Sequence, residues 1–558
     1  MKKSIQLGFV MSFASLAFAG QLSKDLPPTT SNAQVDVIVQ FKTLPTKDEL
    51  KLFGPYGQVK KTFNSINAVN VTVSASVLAA LKADPNVKYV SPNRKQRGFL
   101  DLTTAAVNAG VAWQYGWDGT GVGVAVIDSG VVPKQDLTAA NGVTSRIVYS
   151  ENFATGQADA SDGYGHGTHV AGIIASNGKS STGTGYKRTF KGVAPNVNLV
   201  NLRVLDANGG GLESDVIAAI QQAINLKSTY NIRVINLSLG RPVFESYTLD
   251  PLCQAVEAAW QAGIVVVVAA GNYGRDNSLG TLGYGTISSP GNDPYVITVG
   301  AMNTNGTNWT SDDTIASFSS KGPTLADHIV KPDLVAPGNN VISLLAPNST
   351  LALNYPKTLI LNATYETLGL PGKSGDYFRL SGTSMATPVV AGAAALLIQQ
   401  HPSLTPDQVK ARLMKTASKT VTLYSTGIDA TTLQAYTDQA DIFTVGAGYI
   451  DIAAALANND LASLPALSPT AVHDPITKKT VILRGNGTWG DSVLWGDSVV
   501  FGNIVFTHTA MFSSVLGLDD SVLWGDTVIW GQDDSVLWGD TVNGASSLSA
   551  LAADDGDR

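Results

Sequence analysis

"GVGVAVID" occupies residues 121–128, and reading it decides the architecture of most of the chain. From Val122 to Ile127 every side chain is apolar or absent, with none of the polar alternation that a half-exposed strand shows. A short, continuous apolar run of this kind is a strand covered on both faces, as in a parallel sheet. Four more follow: "NLVNLRVLD" at 198–206, "RVINLSLG" at 233–240, "IVVVVAAGN" at 264–272 and "YVITVGA" at 295–301. Helical patterns lie between several of them. "ESDVIAAIQQAINLK" at 213–227 sets Ile217, Ile220 and Ile224 on one side, and "LTPDQVKARLMKTA" at 404–417 opens with a Thr405-x-x-Gln408 capping box and Pro406 at the first helical position. Strands alternating with helices predict an α/β fold of three layers, with a central, mostly parallel sheet.

The rest of the chain divides around this block. The opening "MKKSIQLGFVMSFASLAFAG" has a basic start, a short apolar stretch and Ala17-Phe18-Ala19, so residues 1–19 read as a secretory signal peptide and the mature protein is expected to be exported. "VDVIVQFK" at 35–42 and "AVNVTV" at 68–73 alternate with period two, and "SVLAALKAD" at 76–84 is helical, which makes residues 20–100 a small α+β unit. The α/β domain runs over 101–458, followed by a linker at 459–484. Residues 485–545 are rich in tryptophan: "WGDSVL", "WGDSVV" and "FGNIVF" follow one another at a six-residue period from Trp489, and "SVLWGD" returns at 521 and 535. An even period sets Trp489, Trp495 and Phe501 on one face of an extended chain. A small β-solenoid, a module for cell-surface glycan and a flexible product of repeat expansion are the three readings of this region. Residues 546–558 form a short acidic tail.

Composition removes several function classes. The net charge is −7, and no basic cluster occurs beyond "NRKQR" at 93–97, which argues against a nucleic-acid partner. A single cysteine, Cys253, excludes an intramolecular disulfide. It lies in the amphipathic "PLCQAVEAAWQAG", where a packing role is expected rather than a nucleophilic one.

In an α/β sheet, chemistry gathers beyond the carboxyl ends of the strands. Three apolar runs deliver polar residues there: Asp128, then Asn236 with Ser238, then Asn272. "DGYGHGTHVAGIIAS" at 162–176 places His166 between glycines at the mouth of a helix, and "SGTSMATPVVAGAAALL" at 381–397 places Ser384 in the first turn of another. Taken singly, each has a plain reading: a turn aspartate, a helix-capping serine, and histidines at i and i+3 that pack or bind a metal. The glutamate of a His-Glu-x-x-His zinc site is missing from "HGTH". Taken together, they supply a nucleophile at a helix N-terminus, a base and an acid to orient it.

"VAVIDSG", "GHGTHVAG" and "SGTSMATP" resemble the three active-site blocks of the subtilisin-like serine proteases, and "NLSLG" and "AAGN" resemble that family's substrate-binding and oxyanion segments. The resemblance spans about residues 105–458. It implies a serine endopeptidase in which Asp128, His166 and Ser384 form the triad, Asn272 lines the oxyanion hole, and Ser238, Leu239 and Gly240 pair with the substrate. The small unit at 20–100 is similar to the family's inhibitory propeptide, which implies a self-processing zymogen cut between about Ser91 and Thr104 and held inhibited by its own propeptide. Structural calcium is common in the family, and Asp136 in "KQDL" matches a position that often ligates it. The loop at 177–185 departs from the usual ligand pattern, so the metal stays unassigned. No cofactor is required for the chemistry. "SSPGND" at 288–293 is expected in the wall of the pocket for the residue before the cut, and the long segment at 347–377 either shapes the cleft or covers a surface. A non-catalytic surface or adhesion protein on the same scaffold is the competing reading.

Overall fold

A computed structural model describes residues 21–23, 26–30, 33–43, 46, 59–63, 67–92, 102–278, 280–369, 371–474, 479–483, 500–501, 504–505, 548–550 and 556–557. The signal sequence therefore lies outside the described residues. So does the Trp repeat, apart from the paired strands Val500–Phe501 and Ile504–Val505. The chain forms two compact units, Met1–Gly98 and Phe99–Arg558.

In the first unit, five strands form one sheet in the order Gln21–Leu22, Val87–Pro92, Gln34–Phe41, Ala68–Ser74, Val59–Phe63. The period-two pattern does what it predicts. Val37, Val39 and Phe41 turn inward from one strand and Val69, Val71 and Val73 from its antiparallel neighbour, closing on Leu78 and Leu81 of the helix Leu78–Ala83.

In the second unit, the central sheet runs Thr314–Ile315, Ile297–Asn303, Val265–Ala269, Ile232–Leu237, Gly123–Asp128, Asn198–Arg203, Ile147–Asn152, with Leu334–Pro337 also pairing Ile297–Asn303. Every pairing is parallel except that of the short Thr314–Ile315 strand. The strand Gly123–Asp128 lies inside the sheet and is buried along its whole length, as its unbroken apolar run requires. The helices His166–Ala175 and Thr383–Gln400 pack on each other and on the sheet, and Glu213–Tyr230 and Pro251–Gln261 form a second such pair. The buried stripe of Glu213–Tyr230 centres on Val216, Ala219, Ile220 and Ala223; Ile217 and Ile224 sit at its half-buried margin. The capping box is present, with Gln408 N donating to Thr405 Oγ1 at 3.3 Å and Thr405 N to Gln408 Oε1 at 3.1 Å.

The stretch read as a linker is not free of this core. Ala466 and Ala471 are buried in it, and Ser468 joins a buried ionic cluster. Asp333 receives Lys331 Nζ at 2.7 Å, Ser468 Oγ at 2.5 Å and Thr298 N at 2.8 Å, with Lys410 Nζ at 3.3 Å. Burial alone would raise the Asp333 carboxyl, but the two ammonium groups outweigh it and hold it below the usual range. Burial pushes Lys410 down to about 7 despite the attraction of Asp333. Removing the one carboxylate leaves two cations without their anion. Asp333→Asn should therefore cost about 3–5 kcal/mol in urea unfolding, and a chain ending at Asn459, which lacks Ser468, should be less stable than one ending at Leu483.

Candidate active site

Asp128 is the last residue of its strand, and its carboxylate is buried at the sheet's carboxyl edge. A buried carboxylate needs donors, because its lost hydration must be replaced. Oδ1 accepts from Ser129 N at 2.7 Å and lies 2.8 Å from His166 Nδ1. His166 is the first residue of its helix, fully buried.

The turn before it is held by Asp162, whose Oδ1 accepts from Gly165 N at 2.6 Å and Ser129 Oγ at 2.8 Å, and whose Oδ2 accepts from Thr168 N at 2.8 Å. One aspartate thus caps the His166 helix and ties it to the Asp128 turn. Gly165 has φ +103°, and a Cβ there would lie 2.4 Å from Ser349 Oγ, so only glycine fits without strain. Asp162 has no signal of this role in the sequence, because it lies three residues before the N-cap Gly165, outside the position where a capping side chain is read.

His169, the other histidine of "HGTH", has a different setting. Its Nε2 lies 3.1 Å from the Val341 carbonyl, its ring meets Phe378 edge-on at 5.0 Å, and burial pushes its pKa down to about 3. It is a neutral packing residue. Among the described residues no group of three or more His, Cys, Asp or Glu side chains is placed to hold a metal.

Ser384 is the second residue of the helix Thr383–Gln400 and is fully buried. Its Oγ donates to the Ser238 carbonyl at 3.0 Å, while Ser238 Oγ donates back to the Ser384 carbonyl at 2.9 Å and accepts from Asn236 Nδ2 at 2.9 Å. His166 Nε2 is buried without a hydrogen-bond partner. The Ser384 hydroxyl thus donates to the Ser238 carbonyl and not to His166 Nε2. The Ser238 side chain in turn braces the first turn of the Ser384 helix.

Asn272 follows the strand Val265–Ala269. Its Oδ1 accepts from Thr383 N at 2.9 Å and Thr383 Oγ1 at 3.1 Å, which fixes the amide beside the first turn of the Ser384 helix. Ser288 is buried behind this turn, where a Cβ on Gly271 would lie 2.5 Å from its hydroxyl. Cys253 is buried in its helix and burial raises its thiol, so the packing role stands.

The long segment at 347–377 has structural work in both directions. Thr350 N and Leu351 N donate to the carbonyls of Gly163 and Tyr164 at 3.0 Å each, bracing the loop that leads into His166. Its other end brings Tyr377 OH to Asp136 Oδ2 at 2.6 Å. That oxygen also accepts from Ser176 Oγ at 3.0 Å, and Oδ1 from Ser180 N at 2.6 Å. The Asp136 carbonyl is taken by Arg146 Nη2 at 2.9 Å. Calcium needs six to eight oxygens turned toward it; those of Asp136 face protein donors instead. The residues present do not fit a calcium ion at this position.

Sequence comparison adds relatives to this geometry. The model of the "Subtilase family" matches residues 119–448. The chain is 40% identical over 371 residues to "Serine protease AprX" of Bacillus subtilis (strain 168), covering 65% of this chain and 76% of that protein. It is 36% identical over 366 residues to "Subtilisin E" of the same organism, covering 65% and 78%. With "Subtilisin J" of Geobacillus stearothermophilus the identity is 34% over 428 residues, covering 74% and 92%. The chain belongs to the subtilase family and is a serine-type endopeptidase.

Proposed function

We propose that this chain is an exported endopeptidase, made as a self-inhibited zymogen, that cuts peptide bonds through Ser384, His166 and Asp128. The observation that carries the reading is the buried 2.8 Å contact between Asp128 Oδ1 and His166 Nδ1, with Ser384 in the first turn of the helix that packs on the His166 helix. With Nδ1 engaged by a carboxylate, the imidazole holds its proton there and presents Nε2 as the base.

Attack by Ser384 Oγ on the substrate carbonyl passes its proton to Nε2, and Asp128 stabilises the imidazolium that forms. The Ser384 backbone N–H and the Asn272 –NH₂ donate to the new oxyanion, where fixed donors are worth most. Collapse breaks the C–N bond, the amine leaves with the proton from His166, and water repeats the sequence to release the acyl group. Ser384→Ala or His166→Ala should lower kcat on the order of 10⁶-fold. Asn272→Ala should lower it by about 10²–10³-fold, the loss that removing such a donor causes in subtilisin. Casein hydrolysis and fluorophosphonate labelling measure both, and an active Ser384→Ala enzyme would overturn the assignment.

The zymogen reading rests on the opening sequence and on the independent α+β core at Val37–Val90. Parallel sheets depend on non-local pairing and fold slowly, which gives an N-terminal folding partner a physical purpose. The secreted protein should begin between Ser91 and Thr104, and the Ser384→Ala precursor should stay uncut. N-terminal sequencing that finds Gly20 on the wild type refutes self-processing.

We further infer that Asp136 is held by protein donors in place of calcium. Tyr377→Phe should lower the thermal midpoint by the same amount in calcium as in chelator. A loss seen only in chelator would return the ion to this position.

A further inference from the structure

We infer that the C-terminal tail of this chain is a built-in occupant of its own substrate cleft, anchored by Asp557. The inference rests on the peptidase reading above and adds the regulation of the same site.

Leu239–Gly240, the edge expected to pair with substrate, already has a partner. The strand Leu548–Ala550 lies antiparallel to it, with Leu239 opposite Ala550 and Gly240 opposite Ser549. On its other side the same strand pairs antiparallel with Gly210–Gly211, with Leu548 opposite Gly211 and Ser549 opposite Gly210. The three form one sheet with the tail in the middle. A peptide that adds a strand between two edges takes its affinity from main-chain hydrogen bonds, and this tail makes that kind of contact. Its direction carries it toward Ser384. The strand advances from Gly240 toward Leu239, and the next residue along that edge is Ser238, whose carbonyl receives the Ser384 hydroxyl.

A strand of three residues is a weak ligand, and a second contact holds it. Asp557 is buried, although the sequence presents it within an acidic tail. Its carboxylate accepts from Ser317 N and Ser317 Oγ at 2.6 Å each and from Arg275 Nη2 at 3.0 Å. Its backbone N donates to Asn339 Oδ1 at 2.9 Å, and its carbonyl accepts from Asn339 Nδ2 at 2.8 Å and Asn340 Nδ2 at 3.1 Å. Gly556 O accepts from Ala430 N at 3.2 Å. The fit admits only glycine before the aspartate, since a Cβ on Gly556 would lie 2.3 Å from Ser381 Oγ and 2.4 Å from Asn339 Oδ1. This is a receptor for the Gly556–Asp557 pair, built from five separate parts of the domain, at Arg275, Ser317, Asn339–Asn340, Ser381 and Ala430. Anchoring raises the effective concentration of the attached strand at the cleft to about the millimolar range, enough for a weak segment to compete with substrate.

The test compares the full chain with Asp557→Ala and with Gly556→Val. Arg275 keeps Asp429 at 2.5 Å in both, so neither change strands a buried cation. Each variant should hydrolyse a peptide substrate with KM lowered several-fold and kcat unchanged, and a synthetic peptide of residues 546–558 added in trans should restore the wild-type KM competitively. Unchanged KM in both variants overturns the inference, as does a peptide that fails to inhibit. Hydrogen exchange on the Ser384→Ala chain gives a readout that needs no catalysis. Adding Asp557→Ala should speed exchange at Gly211 and Gly240, the residues of the two edges that face the tail, and equal rates overturn the tail assignment. Faster exchange there, together with an Asp557→Ala chain that keeps Ser384 yet never labels with fluorophosphonate, leaves the tail assignment standing and refutes the peptidase reading.

Discussion

Burying a carboxylate at the end of a covered strand is the constraint from which the site follows. Asp128 ends a strand with no exposed face, so water cannot solvate it and protein donors must. Ser129 N supplies one and the His166 ring supplies the other. Pairing one carboxylate oxygen, Oδ1, therefore orients the imidazole, and the Asp162 contacts set the helix that carries it. Asp333 shows the same rule without catalysis: buried more deeply, it is surrounded by two ammonium groups and two neutral donors, and it ties Ser468 to the sheet.

Cations and hydroxyls inside the domain tie its loops together. Arg146 reaches four backbone carbonyls, those of Asp136, Thr138, Ala175 and Val197. Its five donors on a rigid fork suit such a cage, although burial draws its pKa down to about 10. Tyr377 does the same for the Asp136 carboxylate. In a chain with one cysteine, these fixed internal contacts hold the loops without a disulfide.

The cleft carries an opposite design. Gly210–Gly211 and Leu239–Gly240 are short edges with little side chain to obstruct them, and an open edge pairs with any extended segment within reach. Filling it with the chain's own tail covers that liability while the receptor for Asp557 controls how firmly it stays.

How much of this was legible in the sequence depended on range. Unbroken apolar runs announced a parallel sheet, because burial on both faces leaves no room for polar alternation, and "GVGVAVID" alone carried that information. The helix of Ser384 and the Thr405 capping box were equally local and equally readable. The separate positions of Asp128, His166, Asn272 and Ser384 stood out because each occupies a glycine-flanked turn beside an apolar element. Their placement, and the turning of Ser384 toward Ser238, were set by packing between segments from 38 residues apart, for Asp128 and His166, to 146 apart, for Ser238 and Ser384. The same holds for Ser468, read as linker yet bound to Asp333, and for Tyr377, carried across to Asp136 by a segment that seemed only long. Asp557 is the clearest case: among acidic neighbours it reads as solvated tail. Only tertiary structure shows the arginine, serine and two asparagines that replace its water, because hydrogen bonds between distant side chains leave no periodic trace in the chain.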